Sequence, residues 1–291
     1  MKYEGVVIRP PSEANSLILQ VTIGCSHNKC AFCPAYKAKR FRIRTFNEIK
    51  DDIDEARLNT PHYRRVFLAD GDALIMPQEK LLSIAFYLHE AFPSLQRIGI
   101  YGNVKSILKK SVAQLQALKE HKINIIYLGI ESGDDETLQQ VHKGTTYEKI
   151  VEAGKRVKAA GIKLSVTVLL GIAGVERSTL HAQKTARILT EIQPDYVGAL
   201  TLMVIPEAPL HRSVEEGNFI LPSPFDLLHE LRIMLAESDL HHCLFFSNHA
   251  SNYLPIRARL PKDKESSLQL IDEVLAAGNT SLLKPEHLRA L

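Results

Sequence analysis

Short runs of apolar residues alternate along the chain with longer segments of helical period, from residue 16 to residue 204. Six runs, at 16–22, 65–69, 97–101, 124–130, 163–170 and 196–204, are rich in Val, Ile and Leu, the pattern of strands buried on both faces. The intervening segments carry helix ends. Thr45 with Glu48, and Thr145 with Glu148, have capping-box spacing, in which hydroxyl and carboxylate each satisfy a free backbone N–H. Gly161 stands where a residue of positive φ would close a helix over 147–160, and Pro61, Pro93 and Pro194 lie just before strands, where a helix has to stop. Strands alternating with helices predict parallel βα units. Six such units without a Gly-rich dinucleotide turn after the first strand point to an α/β fold, a partial (β/α)6 TIM-like barrel.

The pattern changes beyond Pro206. Pro209, Pro222 and Pro224 are followed by helix-like segments at 225–237, 262–277 and 285–290, with an apolar run at 243–246. The expectation is a core over 1–205 and a mostly helical C-terminal extension, 206–291, covering the barrel mouth.

Composition narrows the class. With 291 residues, 45% hydrophobic and 24% charged, disordered and fibrous classes are excluded. The formal net charge of +3 is too small to imply a nucleic-acid or membrane surface without local clustering. No stretch approaches the roughly 18 apolar residues of a membrane span, and Glu4, Arg9, Pro10, Pro11 and Glu13 interrupt any signal-peptide core, so a cytoplasmic protein is expected.

Of four cysteines, Cys25, Cys30 and Cys33 fall within one loop directly after the first strand. In parallel barrels that is the reactive face, because the βα loops converge there. Spaced C-x4-C-x2-C, three thiolates can wrap a [4Fe-4S] cluster and leave its fourth iron without a protein ligand. Two other readings use the same residues. A ferredoxin-like electron carrier or sensor would recruit Cys243 as fourth ligand, and a zinc-dependent barrel enzyme would add His27. Cys243, in an apolar run, reads most simply as a buried small hydrophobe.

The triad, with Phe32 before its last cysteine, resembles that of the radical S-adenosylmethionine (radical SAM) superfamily, whose usual spacing is C-x3-C-x2-C; the resemblance covers residues 16–205. Asp70-Gly71-Asp72 looks like the family's Gly-Gly-Glu element, whose backbone carbonyls and acidic side chain receive the cofactor's amino group; here Asp70 stands for a glycine and Asp72 for the glutamate. Asn103 follows the third strand in a polar turn. Gly129-Ile130-Glu131-Ser132-Gly133 is close to a motif of the Elongator, methylthiotransferase and coproporphyrinogen-oxidase-like branch, where the acid and hydroxyl contact ribose or carboxylate. His142-Lys143-Gly144 matches that branch's lysine-glycine turn. Gly171 to Ser178 is similar to its Gly-x-Pro-Gly-Glu-Thr element, with Ala173 for proline and Val175 inserted. Glu176 and Arg177 read either as cofactor-site residues, the arginine gripping the carboxylate, or, for Glu176, as a surface ion-pair partner of Arg177 or a lysine, while Ser178 reads as a helix N-cap.

The resemblance implies an enzyme that reductively cleaves S-adenosylmethionine to a 5′-deoxyadenosyl radical, with catalytic Cys25, Cys30 and Cys33, a flavodoxin- or ferredoxin-type reductant and an unidentified substrate. Pro34 and Ala35 follow Cys33, and no second cysteine group exists, so one cluster is expected. The basic stretch 36–44 reads either as an attractor for an anionic partner or as a solvated strand edge. The polar motif 247–253 reads as an ordinary loop or as pocket lining with His249 as acid or base. His241 and His242 read as surface residues.

Overall fold

A computed structural model describes residues 1–290. In chain order the elements are β1 (Leu17–Gln20), β2 (Thr22–Ile23), β3 (Arg42–Ile43), α1 (Phe46–Asn59), β4 (Arg65–Ala69), α2 (Gln78–Ala91), β5 (Arg97–Tyr101), α3 (Val104–Leu108), α4 (Val112–Glu120) and β6 (Ile123–Glu131). They continue with α5 (Asp135–Gln140), α6 (Tyr147–Ala159), β7 (Lys163–Leu170), α7 (Gly174–Ile192), β8 (Tyr196–Thr201), α8 (Leu210–Glu215), α9 (Pro224–Glu237), β9 (Cys243–Phe246), β10 (Arg257–Leu260) and α10 (Lys264–Ala277). This is the expected mostly parallel α/β class, the class of partial TIM-like barrels, with six βα strands: β1 and β4 to β8.

The chain divides into two compact units. The first comprises Met1–Asn28, Ala35–Leu128 and Glu152–Leu164; the second comprises Lys29–Pro34, Gly129–Val151 and the described residues from Ser165 onward.

In the first unit β1, β4, β5 and β6 pair in parallel, with Leu19 beside Leu68, Leu68 beside Ile100 and Ile100 beside Ile126. All four side chains are fully buried, so the register is fixed by one continuous apolar row. On the adjacent row Gly99 leaves space that Glu13 fills: a Cβ there would lie 2.9 Å from Glu13 Oε1. That buried carboxylate accepts from Arg97 Nη2 at 2.7 Å and from the Tyr127 hydroxyl. The first apolar run is broken at Val21, whose N–H bonds Ala69 O, and Thr22 and Ile23 turn away to pair antiparallel with Ile43 and Arg42. The Thr45 and Glu48 capping box forms, and α1 buries Ile49, Ile53 and Ala56 at helical spacing.

In the second unit β7 pairs with β8 in parallel, β9 adds to β8 in parallel, and β10 returns antiparallel to β9. Residues beyond 205 therefore supply two strands as well as α8, α9 and α10. Gly161 takes φ +69° after α6, as expected of a C′ glycine. Two local expectations fail. The Thr145 hydroxyl is buried without a hydrogen-bond partner; α6 starts at Tyr147, whose N–H is taken by Asp135 Oδ1 at 2.6 Å, so no Thr145 capping box exists. Ser178 is not an N-cap, because α7 already starts at Gly174, capped by Ala173.

Candidate functional site

The predicted site residues fall into two clusters, one in each unit. In the first unit, β2 delivers Gly24 at φ +77°, then half-buried Cys25 and Ser26. The turn after β4 runs alongside them residue for residue. Asp70 Oδ2 accepts from Gly24 N at 2.9 Å, and Asp72 Oδ2 accepts from the Ser26 hydroxyl. Between them Gly71 lies so close that an added Cβ would stand 3.1 Å from Cys25 Cβ and 2.5 Å from the Tyr36 ring. Glycine is required here for close approach rather than for backbone conformation.

The two aspartates are held differently. Asp70 is fully buried; its Oδ2 also accepts from Gln20 Nε2 and Lys39 Nζ, each at 2.9 Å, while Oδ1 is buried without a partner. Asp72 Oδ1 accepts from Ser106 Oγ at 2.6 Å and Asn103 N at 3.1 Å, and Oδ2 also accepts from Asn103 Nδ2 at 2.8 Å. Burial pushes the Asp72 carboxyl up, against the hydrogen bonds from Ser106, Ser26 and Asn103. Asn103 meanwhile caps α3 by accepting from Ser106 N at 2.8 Å. Asp72 thus ties the cysteine loop to the turn after β5.

In the second unit Cys30 and Cys33 are half-buried on the segment Lys29–Pro34. Ala31 anchors it: its N–H bonds Val141 O and its carbonyl accepts from Leu210 N, both at 2.9 Å. Phe32 packs on the apolar cluster of Val141, Leu169, Ile172, Leu202 and Leu210, and Lys143 Nζ lies 5.9 Å from its ring centroid. Glu131 takes φ +63° and pairs with Lys143 Nζ at 2.8 Å. Gly129 makes that possible, since a Cβ there would fall 2.2 Å from Glu131 Oε1. Ser132 is fully buried, its Oγ 2.7 Å from His181 Nδ1.

Arg177 is directed to protein carboxylates: Nε and Nη2 bond Asp134 at 2.8 and 3.0 Å, and Nη1 lies 2.7 Å from Glu136. Desolvation of buried Asp134 is outweighed by hydrogen bonds from Arg177, Lys184 and Thr137, which hold its carboxyl well below the usual range. Glu176 is exposed in the first turn of α7, where the helix dipole favours an acid. Gly171, at φ +83°, donates its N–H to Glu230 Oε1 at 2.7 Å. Among the described residues no three His, Cys, Asp or Glu side chains stand in a preformed metal-binding group.

The basic stretch is largely neutralised. Lys39 sits on Asp70, Arg42 on Glu4 and Glu48, and Arg44 on Asp52. The 247–253 motif is knitted inward: Asn252 Nδ2 donates to Ala199 O at 2.9 Å and Ser247 Oγ at 2.7 Å, and Ser251 Oγ accepts from Thr201 N. His249 is partly buried; burial, with Lys284 nearby, lowers the pKa of its imidazole. His241 and His242 are exposed and Cys243 is buried, as expected.

Sequence reasoning missed Asp134, His181 and Glu230. A signal was present for the last two. Glu230 interrupts the apolar stripe Leu227, Leu231 and Met234 of α9, and His181 interrupts the buried face of Ala182, Ala186 and Ile188 on α7. A charged or titratable group on the buried face of an amphipathic helix marks a specific buried partner.

The Radical SAM superfamily model matches residues 19–182, more than half of the chain. The chain belongs to the radical SAM superfamily. Its members are enzymes that use S-adenosylmethionine and a [4Fe-4S] cluster, together with an external electron donor. An uncharacterized protein of Methanocaldococcus jannaschii is 25% identical over 84% of this chain and 74% of its own length. The tRNA-2-methylthio-N(6)-dimethylallyladenosine synthase of Prosthecochloris aestuarii is 25% identical over 62% of this chain, a match spanning 41% of that synthase. The structure of coproporphyrinogen III oxidase from Escherichia coli superposes with a TM-score of 0.60 at 16% identity, covering 92% of this chain and 60% of that one; this likeness is one of fold. No helix among the described residues is long and apolar enough to cross a membrane.

Proposed function

We propose that this radical SAM enzyme holds one [4Fe-4S] cluster on Cys25, Cys30 and Cys33 and binds S-adenosylmethionine at the iron those thiolates leave open. The observation that carries the reading is the pairing of 70–72 with 24–26, which sets the element resembling Gly-Gly-Glu against the first cysteine. The residues fit the group: three half-buried thiols close in sequence, a glycine at 71 that packs directly on the first of them, and a buried, unpartnered oxygen on Asp70 suited to an ammonium donor. When bound, the cluster and S-adenosylmethionine supply one-electron cleavage of the sulfur to C5′ bond and hydrogen abstraction from a substrate.

The protein's residues orient and shield. Asp70 takes the cofactor's amino group, Asp72 and Asn103 hold the cysteine loop and the turn after β5 in register, and Glu131 faces the ribose or carboxylate with Lys143 setting its position. Gly171, at φ +83° and packed on Leu227, shapes the turn after β7 toward the cofactor. For Arg177 the role supported by the structure is indirect, through Asp134. Residues 206–291 are proposed to cover the reactive face and exclude water, a reading supported by the hydrogen bond from Leu210 to Ala31. The reductant is proposed to be of flavodoxin or ferredoxin type.

Anaerobically reconstituted protein, reduced with dithionite in the presence of S-adenosylmethionine, is expected to release 5′-deoxyadenosine and methionine. Cys25→Ala is expected to release neither. Equal release by the two proteins contradicts the proposal.

A further inference from the structure

We propose that Glu230, outside the segment matched by the family model, is a positioning residue for S-adenosylmethionine binding, fixing the turn after β7 directly and the turn after β6 through His181. Its Oε1 accepts from Gly171 N at 2.7 Å and its Oε2 from Ser178 Oγ at 2.6 Å. His181 Nε2 lies 3.3 Å from Glu230 Oε1, and on the far side of the ring Nδ1 is 2.7 Å from Ser132 Oγ. Ser132 Oγ in turn accepts from Asp134 N at 3.0 Å. One carboxylate on α9 therefore bonds the turn after β7 and the second turn of α7, and reaches the turn after β6 through the His181 ring, whose Nε2 stands 3.3 Å away without hydrogen-bond geometry.

Burial gives the arrangement its rigidity. Glu230 is 1% exposed, and His181 and Ser132 are 0% exposed. A carboxylate without water is retained only where its lone pairs are used, and here they are taken by the turn after β7 and by α7. The held backbones are also those that need holding. Glu131, next to Ser132, is a non-glycine residue at φ +63°, and Gly171 is at φ +83°. A left-handed glutamate is strained and persists where its surroundings over-determine it. The Ser132 to His181 contact supplies that constraint on one side of Glu131 and Lys143 supplies it on the other.

The inference rests on the reading that the 131–132 and 171 turns face the cofactor. Its test is the dissociation constant of S-adenosylmethionine, measured by equilibrium dialysis on full-length, cluster-reconstituted protein, alongside thermal unfolding and cleavage kinetics. Glu230→Ala is expected to raise Kd about tenfold while kcat at saturating cofactor changes by less than about twofold. Glu230→Gln keeps an acceptor for Gly171 N and a partner for Ser178, and is expected to return Kd to within about threefold of wild type. His181→Leu severs only the Ser132 branch and is expected to raise Kd about fivefold, which decides the matter if Glu230→Ala does not fold. Folded variants that bind the cofactor as tightly as wild type, losing only thermal stability or cluster-bearing fraction, overturn the proposal. Wild-type protein with a full cluster that binds no cofactor overturns the underlying reading instead, a result distinguishable because it precedes any substitution.

Discussion

Gly71 lies against Cys25 so closely that a single added methyl carbon would stand 3.1 Å from the cysteine's Cβ. The same carbon would meet the Tyr36 ring at 2.5 Å, and Tyr36 is buried. Gly71→Ala must therefore displace the cysteine loop, at a cost of about 1–3 kcal/mol for overpacking. The expected outcome is a folded protein by circular dichroism whose reconstituted iron content is cut by at least about half. Full iron loading in this variant would show that the turn does not set the loop.

Cys243 and the loop cysteines are expected to differ sharply. Cys25→Ala, Cys30→Ala and Cys33→Ala should each abolish the iron–sulfur chromophore, while Cys243→Ala, a small change at a buried position in β9, keeps it and costs about 1 kcal/mol of stability. Visible absorption and iron analysis of the four variants check this. Cluster loss in Cys243→Ala would favour four-thiolate ligation.

Glu13 joins a 3-10 turn to the interior of the first unit through Arg97, Tyr127 and Ser16. Glu13→Ala leaves a cavity beside Gly99 and strips Arg97 of its partner, with an expected loss of about 3 kcal/mol in denaturant unfolding. Glu13→Gln, which keeps the volume, is expected to lose less. Equal stability of the Ala variant and wild type would contradict this placement.

These outcomes separate what is local in the sequence from what is not. The bounds of β4, β5 and β7 were legible because each is a buried parallel strand whose apolar run stops where burial stops. The break at Val21 was not, since β2 leaves the apolar row to pair with a strand some twenty residues later in the chain. Ser178 was misread for the same reason: α7 starts one turn earlier at Gly174, and the hydroxyl answers to Glu230, 52 residues away. The cysteine loop and its companion turns were legible as motifs. The direction of Arg177 toward Asp134 was not, because a bidentate partner is chosen by tertiary structure.

Asp134 gives a pH dependence of defined sign. Its folded-state pKa is depressed, so its stabilising effect is complete above the unfolded aspartate value of about 4 and is lost as pH falls below that toward the folded value. The Tm of the wild type should fall on acidification through this window. Asp134→Asn should be less stable at neutral pH and should flatten that acid limb. An acid limb of unchanged steepness in the variant would remove Asp134 from the account.

The central claim is that three thiolates leave one iron open to S-adenosylmethionine. It is tested most directly by electron paramagnetic resonance of the dithionite-reduced, reconstituted wild-type protein before and after S-adenosylmethionine is added. The account predicts a [4Fe-4S]⁺ signal whose g-values shift on addition. A reduced signal that S-adenosylmethionine leaves unchanged at saturating concentration would contradict it.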